Sequence, residues 1–485
     1  PLINTDAEVR VRHSRGQSIP DWIAMKSGDF GVFSDGVAFP ETTEEVNTLL
    51  CFAKEKDLIV IPYGGGTSVC GHINPERSDV KPVITISMSK MNKLMAIDKD
   101  SQIATFGAGT LGPDIESQLA EHGYTLGHFP QSWELSTLGG WVASRSSGQQ
   151  SLRYGRIEKM FAGGKIETLQ GTLDIPTFPA SSAGPDIREM ILGSEGRMGI
   201  ITEVKVRVTK LAAHESFHVA FFPTWETGIE ATKTIVQSGV QLSMMRLSNA
   251  KETSSHLKLA GHDRAVGIME KYLSLRGCSE GKTMFTYGVT GSKGQCKSAL
   301  KQVKQFISQF KGAYIGTVLG KHWEHSRFRS PYLREGLWEI GLVVDTMETC
   351  VDWPTVPSTV KGMETDIGAA LNGHIDTNLK EVDENIHVFT HLSHFYGQGC
   401  SVYTTYIFRM GDNYEETMLR WEKLKAAGAE AIVKHGGTIS HQHGVGRDHK
   451  AYLPAEKGEL GIKAIQGLCG LFDPDKRMNP GKLVD

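Results

Sequence analysis

A chain of 485 residues exceeds the size at which a single hydrophobic core keeps growing, so two or three domains are expected. The composition is ordinary, 39% hydrophobic and 22% charged with a formal net charge of -3, and this balance gives no reason to expect nucleic acid as a partner. No run approaches ~18 apolar residues, so no transmembrane helix is expected, and the 7 scattered cysteines lack a C-x-x-C pair and suggest free thiols in a reducing compartment.

The chain opens on Pro1, so the natural N-terminus, where a targeting signal could sit, is expected upstream. The ending Lys482-Leu483-Val484-Asp485 is not of the peroxisomal S-K-L type. Thr42-Thr43-Glu44-Glu45 reads as a helix start, followed by an apolar face of Val46, Leu49, Leu50 and Ala53, and Leu58-Ile59-Val60-Ile61 reads as a buried strand. That strand delivers Pro62-Tyr63-Gly64-Gly65-Gly66-Thr67-Ser68. Without Cβ atoms the glycines let amides close on an anion, with Thr67 and Ser68 as further donors; a pyrophosphate cradle is one reading and a plain tight turn the other. Neither the Gly-Lys-Ser/Thr ending of a P-loop nor a G-x-G-x-x-G helix start is present.

Val83–Ile86 and Ile103–Phe106 read as a strand pair, and Pro113–Leu119 as a helix with Pro in its first turn and Gly123 past its end. A long loop, Gln131-Ser132-Trp133-Glu134-Leu135-Ser136-Thr137, then enters a helix opened by small residues and followed by Ser144-Arg145-Ser146-Ser147. Small residues there permit close approach of backbone to a planar, polar ligand. Further on, Gly193-Ser194-Glu195-Gly196-Arg197-Met198-Gly199-Ile200-Ile201 turns into a strand that alternates through Val204, Val206 and Val208.

In this order and spacing, the segments at 62–68, 131–148 and 193–203 resemble the FAD-binding domain of the vanillyl-alcohol oxidase type of flavoprotein. The resemblance implies an α+β fold: a two-subdomain FAD-binding domain over 1–209, an α+β cap domain over 210–435, and a C-terminal segment, 436–485, returning to the flavin site. It implies FAD contacts at Pro62 to Ser68 (pyrophosphate), Gln131 to Thr137 and Ser144 to Ser147 (past the isoalloxazine), and Glu195 to Ile201 (adenine side). Some members attach the flavin through a histidine, and His72 lies near the first loop, but the nearest similarity implies a non-covalent, dissociable FAD. In the cap the periodicity predicts strands at 216–222, 284–290, 313–319, 341–351, 387–396 and 400–409, and helices at 224–238, 293–310 and 413–434.

Four polar clusters bear on the reaction. Ser440-His441-Gln442-His443-Gly444 places two histidines at alternating positions, which also suits a metal pair or two hydrogen-bonded rings; third and fourth ligands are not obvious, and no metal is assigned. His391 and His394, three apart on a strand, are expected on opposite faces. Tyr403 and Tyr406 likewise fall on opposite faces. Arg246, between Met244-Met245 and Leu247, and Arg334, after Pro331-Tyr332-Leu333, are costly among apolar neighbours unless paired, either with a substrate phosphate or carboxylate or in an internal salt bridge.

Over nearly its whole length the chain is similar to the ether-lipid-forming branch of that flavoprotein family. This implies a redox-neutral exchange in which the acyl chain of acyl-dihydroxyacetone phosphate leaves as fatty acid and a long-chain fatty alcohol replaces it, through a covalent adduct at flavin N5. By the same likeness Tyr403 is the catalytic tyrosine, Arg334 and Arg246 bind substrate, and His441, Gln442 and His443 form the active-site tract, with Gln442 standing where animal members carry a third histidine. Tyrosine acts as a base near neutrality only if cations stabilise its phenolate, a field that Arg334 and the histidines would have to supply. The resemblance further implies a homodimer, peripheral membrane contact on the luminal side of the peroxisome, and association with the acyltransferase that supplies the substrate. The rival reading is an FAD-linked D-2-hydroxyacid dehydrogenase.

Overall fold

The computed structural model describes residues 2–76, 81–259, 263–372 and 386–485. The chain divides into two compact units: Pro1–Gly148, Tyr154–Leu211 and Gln442–Asp485 form the first, and Gln149–Arg153 with Ala212–His441 the second.

In the first unit, strands Gly36–Ala38, Val83–Ser87 and Ile59–Tyr63 run parallel, with Ile3–Asn4 antiparallel at one edge. Helix Thr43–Glu55 starts where the Thr42 side chain accepts from the amide of Glu45 at 3.2 Å, the N-cap bond that its sequence predicts. Its face of Val46, Leu49, Leu50 and Ala53 is buried in one cluster with Val60, Ile84, Ile86 and Met478. Each such leucine or valine contributes about 1.5–3 kcal/mol through burial. Met478 comes from the C-terminal segment, which adds a parallel bridge to the glycine-loop strand: Val60 donates to the carbonyl of Arg477 (2.9 Å), and Asn479 donates to that of Val60 (2.8 Å). The strand leading into the glycines is therefore held from both sides.

The second sheet of this unit is antiparallel, in the order Leu94–Asp98, Ile103–Gly107, Ile200–Arg207, Phe161–Thr168, Gly171–Ile175. The expected pairing of Val83–Ile86 with Ile103–Phe106 is thus corrected, since these strands lie in different sheets. Val83–Ser87 is buried along its whole length, as a parallel strand covered on both faces should be, whereas the true partner, Leu94–Asp98, is largely exposed although Leu94-Met95-Ala96-Ile97 is apolar, so it lacks the alternation that marks a half-buried strand.

The second unit is built on seven antiparallel strands in the order Ala313–Gly316, His214–Phe222, Thr283–Gly291, Met244–Ser248, His387–Phe395, Gly399–Arg409, Leu342–Asp352. Helices Val356–Ala369 and Tyr414–Lys434 pack against each other, the first also on the two strands His387–Phe395 and Gly399–Arg409. The strand expected over 313–319 ends early. Gly316, at φ +101, is the last paired residue, opposite Val219, and helix Val318–Ser326 begins just beyond it, so the run that suggested a longer strand is ended by one glycine. Among the described residues no helix is long and apolar enough to cross a membrane.

Candidate functional site

In the first unit the glycine loop is seated directly on the segment 135–137. A Cβ on Gly65 would overlap the Leu135 carbonyl oxygen, and one on Gly64 would overlap the Thr137 hydroxyl. The amides of Gly65, Gly66 and Thr67 donate to no acceptor among the described residues. A half-buried turn that presents amides and hydroxyls, with no room for side chains, has the donor chemistry of a pyrophosphate cradle. The residues present therefore fit the phosphates of a dinucleotide.

The loop 131–137 and the helix Leu138–Ser144 form one hydrogen-bonded entry. Thr137 caps the helix by accepting from the Gly140 amide (3.3 Å), Trp141 Nε1 donates to Ser136 Oγ (2.7 Å), and that hydroxyl donates to the Ser132 carbonyl (2.9 Å). Arg145 ends the helix at φ +53 and pairs with Glu189 at 2.9 Å, while Ser146 Oγ meets His128 Nε2 at 3.0 Å. Of the residues expected at the third segment, Met198, Ile200 and Ile201 are buried. Arg197 donates to the carbonyls of Lys482 and Val484.

Glu195 is a joint rather than a surface acid. Its carboxylate accepts from the amides of Val445 (2.6 Å) and Gly446 (2.8 Å), and His72 Nε2 stands 3.1 Å away. Asn479 Nδ2 donates to the carbonyls of His72 (2.9 Å) and Glu195 (2.7 Å). Burial disfavours the His72 charge, but Glu195 outweighs it and the imidazole pKa is raised. Lys482, fully buried, donates to the carbonyls of Asn74 (2.5 Å) and Pro480 (2.9 Å), and burial lowers its pKa to about 7.

In the second unit a polar row crosses four strands. Ser248 lies opposite His391, His391 opposite Tyr403, and Tyr403 opposite Glu348, so all four share one face. Arg246, one pleat along, donates from Nη2 to Glu252 Oε1 (2.7 Å) and lies 3.0 Å from His391 Nδ1, which is itself 3.1 Å from the same carboxylate oxygen. The His391 ring stacks on Tyr403 with centroids 4.8 Å apart, and the Tyr403 hydroxyl donates to Thr346 Oγ1 at 3.1 Å. Glu252 reaches back because the strand turns directly into helix Ala250–Leu259, where Asn249 Oδ1 accepts from the Glu252 amide at 2.9 Å.

The electrostatics follow from this packing. Burial opposes the Glu252 charge, yet Arg246 and His391 hold its carboxyl well below the ordinary range. Burial, reinforced by Arg246, lowers His391 to about 4, so the ring is neutral at neutral pH. Burial pushes Tyr403 up to about 12, with Glu348 and Asp345 adding to the rise and Arg246 opposing it. Burial is the largest cause, and with the hydrogen bond to Thr346 acting against it the phenol still keeps its proton at neutral pH.

Arg334 belongs to another cluster. Its Nη2 lies 4.0 Å from Asp345, which also has Lys425 Nζ at 3.6 Å and accepts from Trp421 (2.7 Å) and Tyr406 (3.1 Å). Asp345 pairs across from Tyr406, on the opposite strand face from Glu348 and Tyr403. Arg246 is joined to Tyr403 through the His391 ring. His441 meets the Tyr396 hydroxyl at 2.7 Å through Nε2, and its amide donates to Glu348 (2.7 Å), which also accepts from Ser440 Oγ (2.8 Å). The His394 ring lies 5.0 Å from that of His441. The opposite-face argument for His391 and His394 assumed regular alternation; the ladder instead shifts register between Ser393 and Phe395, with His394 at φ +47, and that bulge removes the alternation. Between His441 and Gln442 the chain passes into the first unit, so Gln442 and His443 lie with the glycine loop's unit.

Glu252, Glu348 and Thr346 were not singled out from sequence. A signal existed for Glu348 alone: it and Asp345 stand inside a strand whose other interior positions are apolar or threonine. Among the described residues no group of three or more His, Cys, Asp or Glu is placed to hold a metal ion.

Residues 34–174 match the family model described as "FAD binding domain", and residues 211–483 match "FAD linked oxidases, C-terminal domain". An alkyldihydroxyacetonephosphate synthase of Dictyostelium discoideum is 31% identical over 489 residues, spanning 99% of this chain and 78% of that protein. One of Trypanosoma brucei brucei is 29% identical over 490 residues, with 99% and 78% covered. A solved structure of an alkyldihydroxyacetonephosphate synthase superimposes with a TM-score of 0.84 at 28% identity, covering 99% of this chain and 83% of that one.

Proposed function

Because this chain belongs to the family of FAD-linked oxidases and is a homologue of alkyldihydroxyacetonephosphate synthase, we propose that it exchanges the acyl chain of acyl-dihydroxyacetone phosphate for a long-chain fatty alcohol. In this reaction the bond from C1 to the carboxylate oxygen breaks, a bond from C1 to the alcohol oxygen forms, and the alcohol proton ends on the fatty acid, with no net electron transfer. The observation that carries the reading is the face formed by Arg246, His391 and Tyr403, a partly exposed cation beside a neutral phenol and a neutral imidazole.

Bound FAD supplies an electron sink for the reacting carbon. Gly64 to Ser68 hold its pyrophosphate in a non-covalent association, a reading supported by the engagement of His72 with Ser68 Oγ at Nδ1 (2.7 Å) and with Glu195 at Nε2. Arg246, fixed by Glu252, binds the phosphate of the substrate; Arg334, with Asp345 and Lys425, is a second cationic contact. Tyr403 keeps its proton on Oη and donates a hydrogen bond to the departing carboxylate, a role that suits a raised pKa better than proton abstraction. His441, oriented by Tyr396 and by the Glu348 carboxylate at its amide, accepts the alcohol proton, with His443 and Gln442 completing the tract.

The substrates are long-chain lipids, so the reading includes peripheral contact with a membrane, the peroxisomal one by the likeness above, and a homodimer that receives its substrate from an acyltransferase. Exposed Ile268, Tyr272 and Leu275 recur along one side of helix Asp263–Leu275, while Met269 and Leu273 pack inward, which supports such contact. The deciding assay offers labelled fatty alcohol with acyl-dihydroxyacetone phosphate, and in parallel D-lactate with an electron-accepting dye. Incorporation of label into an ether supports the proposal. Dye reduction without ether formation replaces it with a D-2-hydroxyacid dehydrogenase.

A further inference from the structure

Next to the glycine loop, three side chains are linked in series. Ser68 Oγ is 2.7 Å from His72 Nδ1, and His72 Nε2 is 3.1 Å from Glu195, outside hydrogen-bonding geometry, so this second contact is one of charge. Ser68 Oγ also accepts from the His72 amide at 3.0 Å. The Glu195 carboxylate is fixed by the amides of Val445 and Gly446, and a Cβ on Gly444 would crowd both His72 and Glu195. The imidazole therefore has little freedom to turn.

The protonation state of His72 decides which way the Ser68 proton points. A charged imidazole donates from Nδ1 to Ser68 Oγ, which leaves the hydroxyl hydrogen for another acceptor. A neutral ring has two tautomers. Bearing its hydrogen on Nδ1, it would turn the Nε2 lone pair toward the Glu195 carboxylate, a repulsive arrangement. The favoured neutral form carries hydrogen on Nε2 and takes the Ser68 proton at Nδ1, so Ser68 can no longer donate elsewhere.

We propose that His72, held by Glu195, is a positioning residue that sets Ser68 to donate to a phosphate of the flavin cofactor when protonated and withdraws that donor when neutral. This rests on the reading that the glycine loop holds the FAD pyrophosphate. The charged groups acting on His72 are Glu195 and Asp448, which favour its protonation, and Lys482, which opposes it. Because the net shift is upward, cofactor binding is strongest at low pH and weakens as pH rises through the His72 transition; bound phosphate, favouring the same charged form, moves that transition higher still.

The test follows flavin release from the purified holoprotein by the fluorescence of free FAD, between about pH 6 and about pH 9, a window in which buried Lys482, lowered to about 7, also titrates, so that the Ser68→Ala profile separates the His72 part from the rest. The dissociation constant is expected to rise about 10-fold across the transition, the size of one charge-assisted hydrogen bond. His72→Gln, which keeps a polar side chain but does not titrate, should flatten the profile. Ser68→Ala should flatten it while leaving His72 in place, and Glu195→Gln should move the midpoint to lower pH. Thermal midpoints of the apoproteins, compared across pH, register any loss of packing separately. A transition that persists with the same midpoint in Ser68→Ala overturns the proposal, as does a flat wild-type profile with flavin bound. A chain that takes up no FAD at any pH overturns instead the reading of the loop as a flavin cradle.

Discussion

The two units present polar groups by different means. In the first, the glycine loop works through backbone: amides exposed by three successive glycines, with Gly64 and Gly65 against 135–137 and Gly66 against Tyr63 so closely that even a methyl group is excluded. In the second, the polar row Ser248, His391, Tyr403 and Glu348 works through side chains brought level by the pairing of four strands far apart in sequence. A backbone site is written contiguously and tolerates no added atoms. A side-chain site is written in pieces, and its weak point is the uncompensated charge left when one partner is removed.

This contrast predicts unequal failures. The largest belongs to Gly65→Ala, whose Cβ would meet the Leu135 carbonyl, a backbone atom that cannot swing aside. We expect a folded protein that purifies without flavin, seen as loss of the absorbance band of bound FAD and an unchanged far-ultraviolet circular dichroism spectrum. Full flavin content would show that the cradle lies elsewhere. Next comes Glu252→Ala, which leaves the Arg246 guanidinium beside a buried imidazole with no carboxylate. Breaking a buried pair in this way costs about 3–5 kcal/mol. Denaturant unfolding should record that loss while flavin content stays at one per chain, and the exchange rate should fall with it. Wild-type stability in Glu252→Ala would make the polar row a solvated surface rather than a built site.

The same contrast explains what the sequence could tell. The glycine loop, the helix start at Thr42, the loop 131–137 entering a helix of small residues and the glycine-punctuated turn at 193–199 are local patterns, and each was legible because its physical cause lies within a few residues. Strands in the second unit were legible by alternation, but not their order, which depends on pairings such as Ser248 with His391 across 143 positions of chain. Glu252 escaped notice for that reason: in sequence it is one more acid at the start of a helix, and only the strand-to-helix turn brings it under Arg246 and His391. The His394 bulge and the separation of Val83–Ser87 from Ile103–Gly107 were hidden because periodicity reports a face, not a partner.

A milder substitution probes the histidine tract. Glu348→Gln keeps the shape but weakens the bonds from Ser440 Oγ and the His441 amide, each charge-assisted in the native protein. The expected cost is about 1–2 kcal/mol, the difference between a charged and a neutral acceptor pair. If Glu348 only packs, stability falls and the turnover rate is unchanged; if it positions His441 for the alcohol, turnover falls further than stability explains. Measuring both separates the two cases.

The smallest effect is silent at neutral pH. His128 in the first unit and His391 in the second are both buried and neutral, with pKa values lowered to about 3 and about 4 from an ordinary 6.5. A histidine depressed in this way binds protons more readily in the unfolded chain. Each therefore contributes stability that is complete above about pH 6.5 and is lost progressively as pH falls toward its folded pKa. Their causes differ: His128 is lowered by burial and by Arg156, whereas His391 has Glu252 pulling the other way. Imidazole proton shifts followed by nuclear magnetic resonance should show both rings neutral down to about pH 5. In Glu252→Gln the His391 pKa should fall further while that of His128 stays put. A rise in the His391 value would mean that Arg246, released from Glu252, swings away from the ring, so that the guanidinium rather than the carboxylate dominates the charge acting on the imidazole.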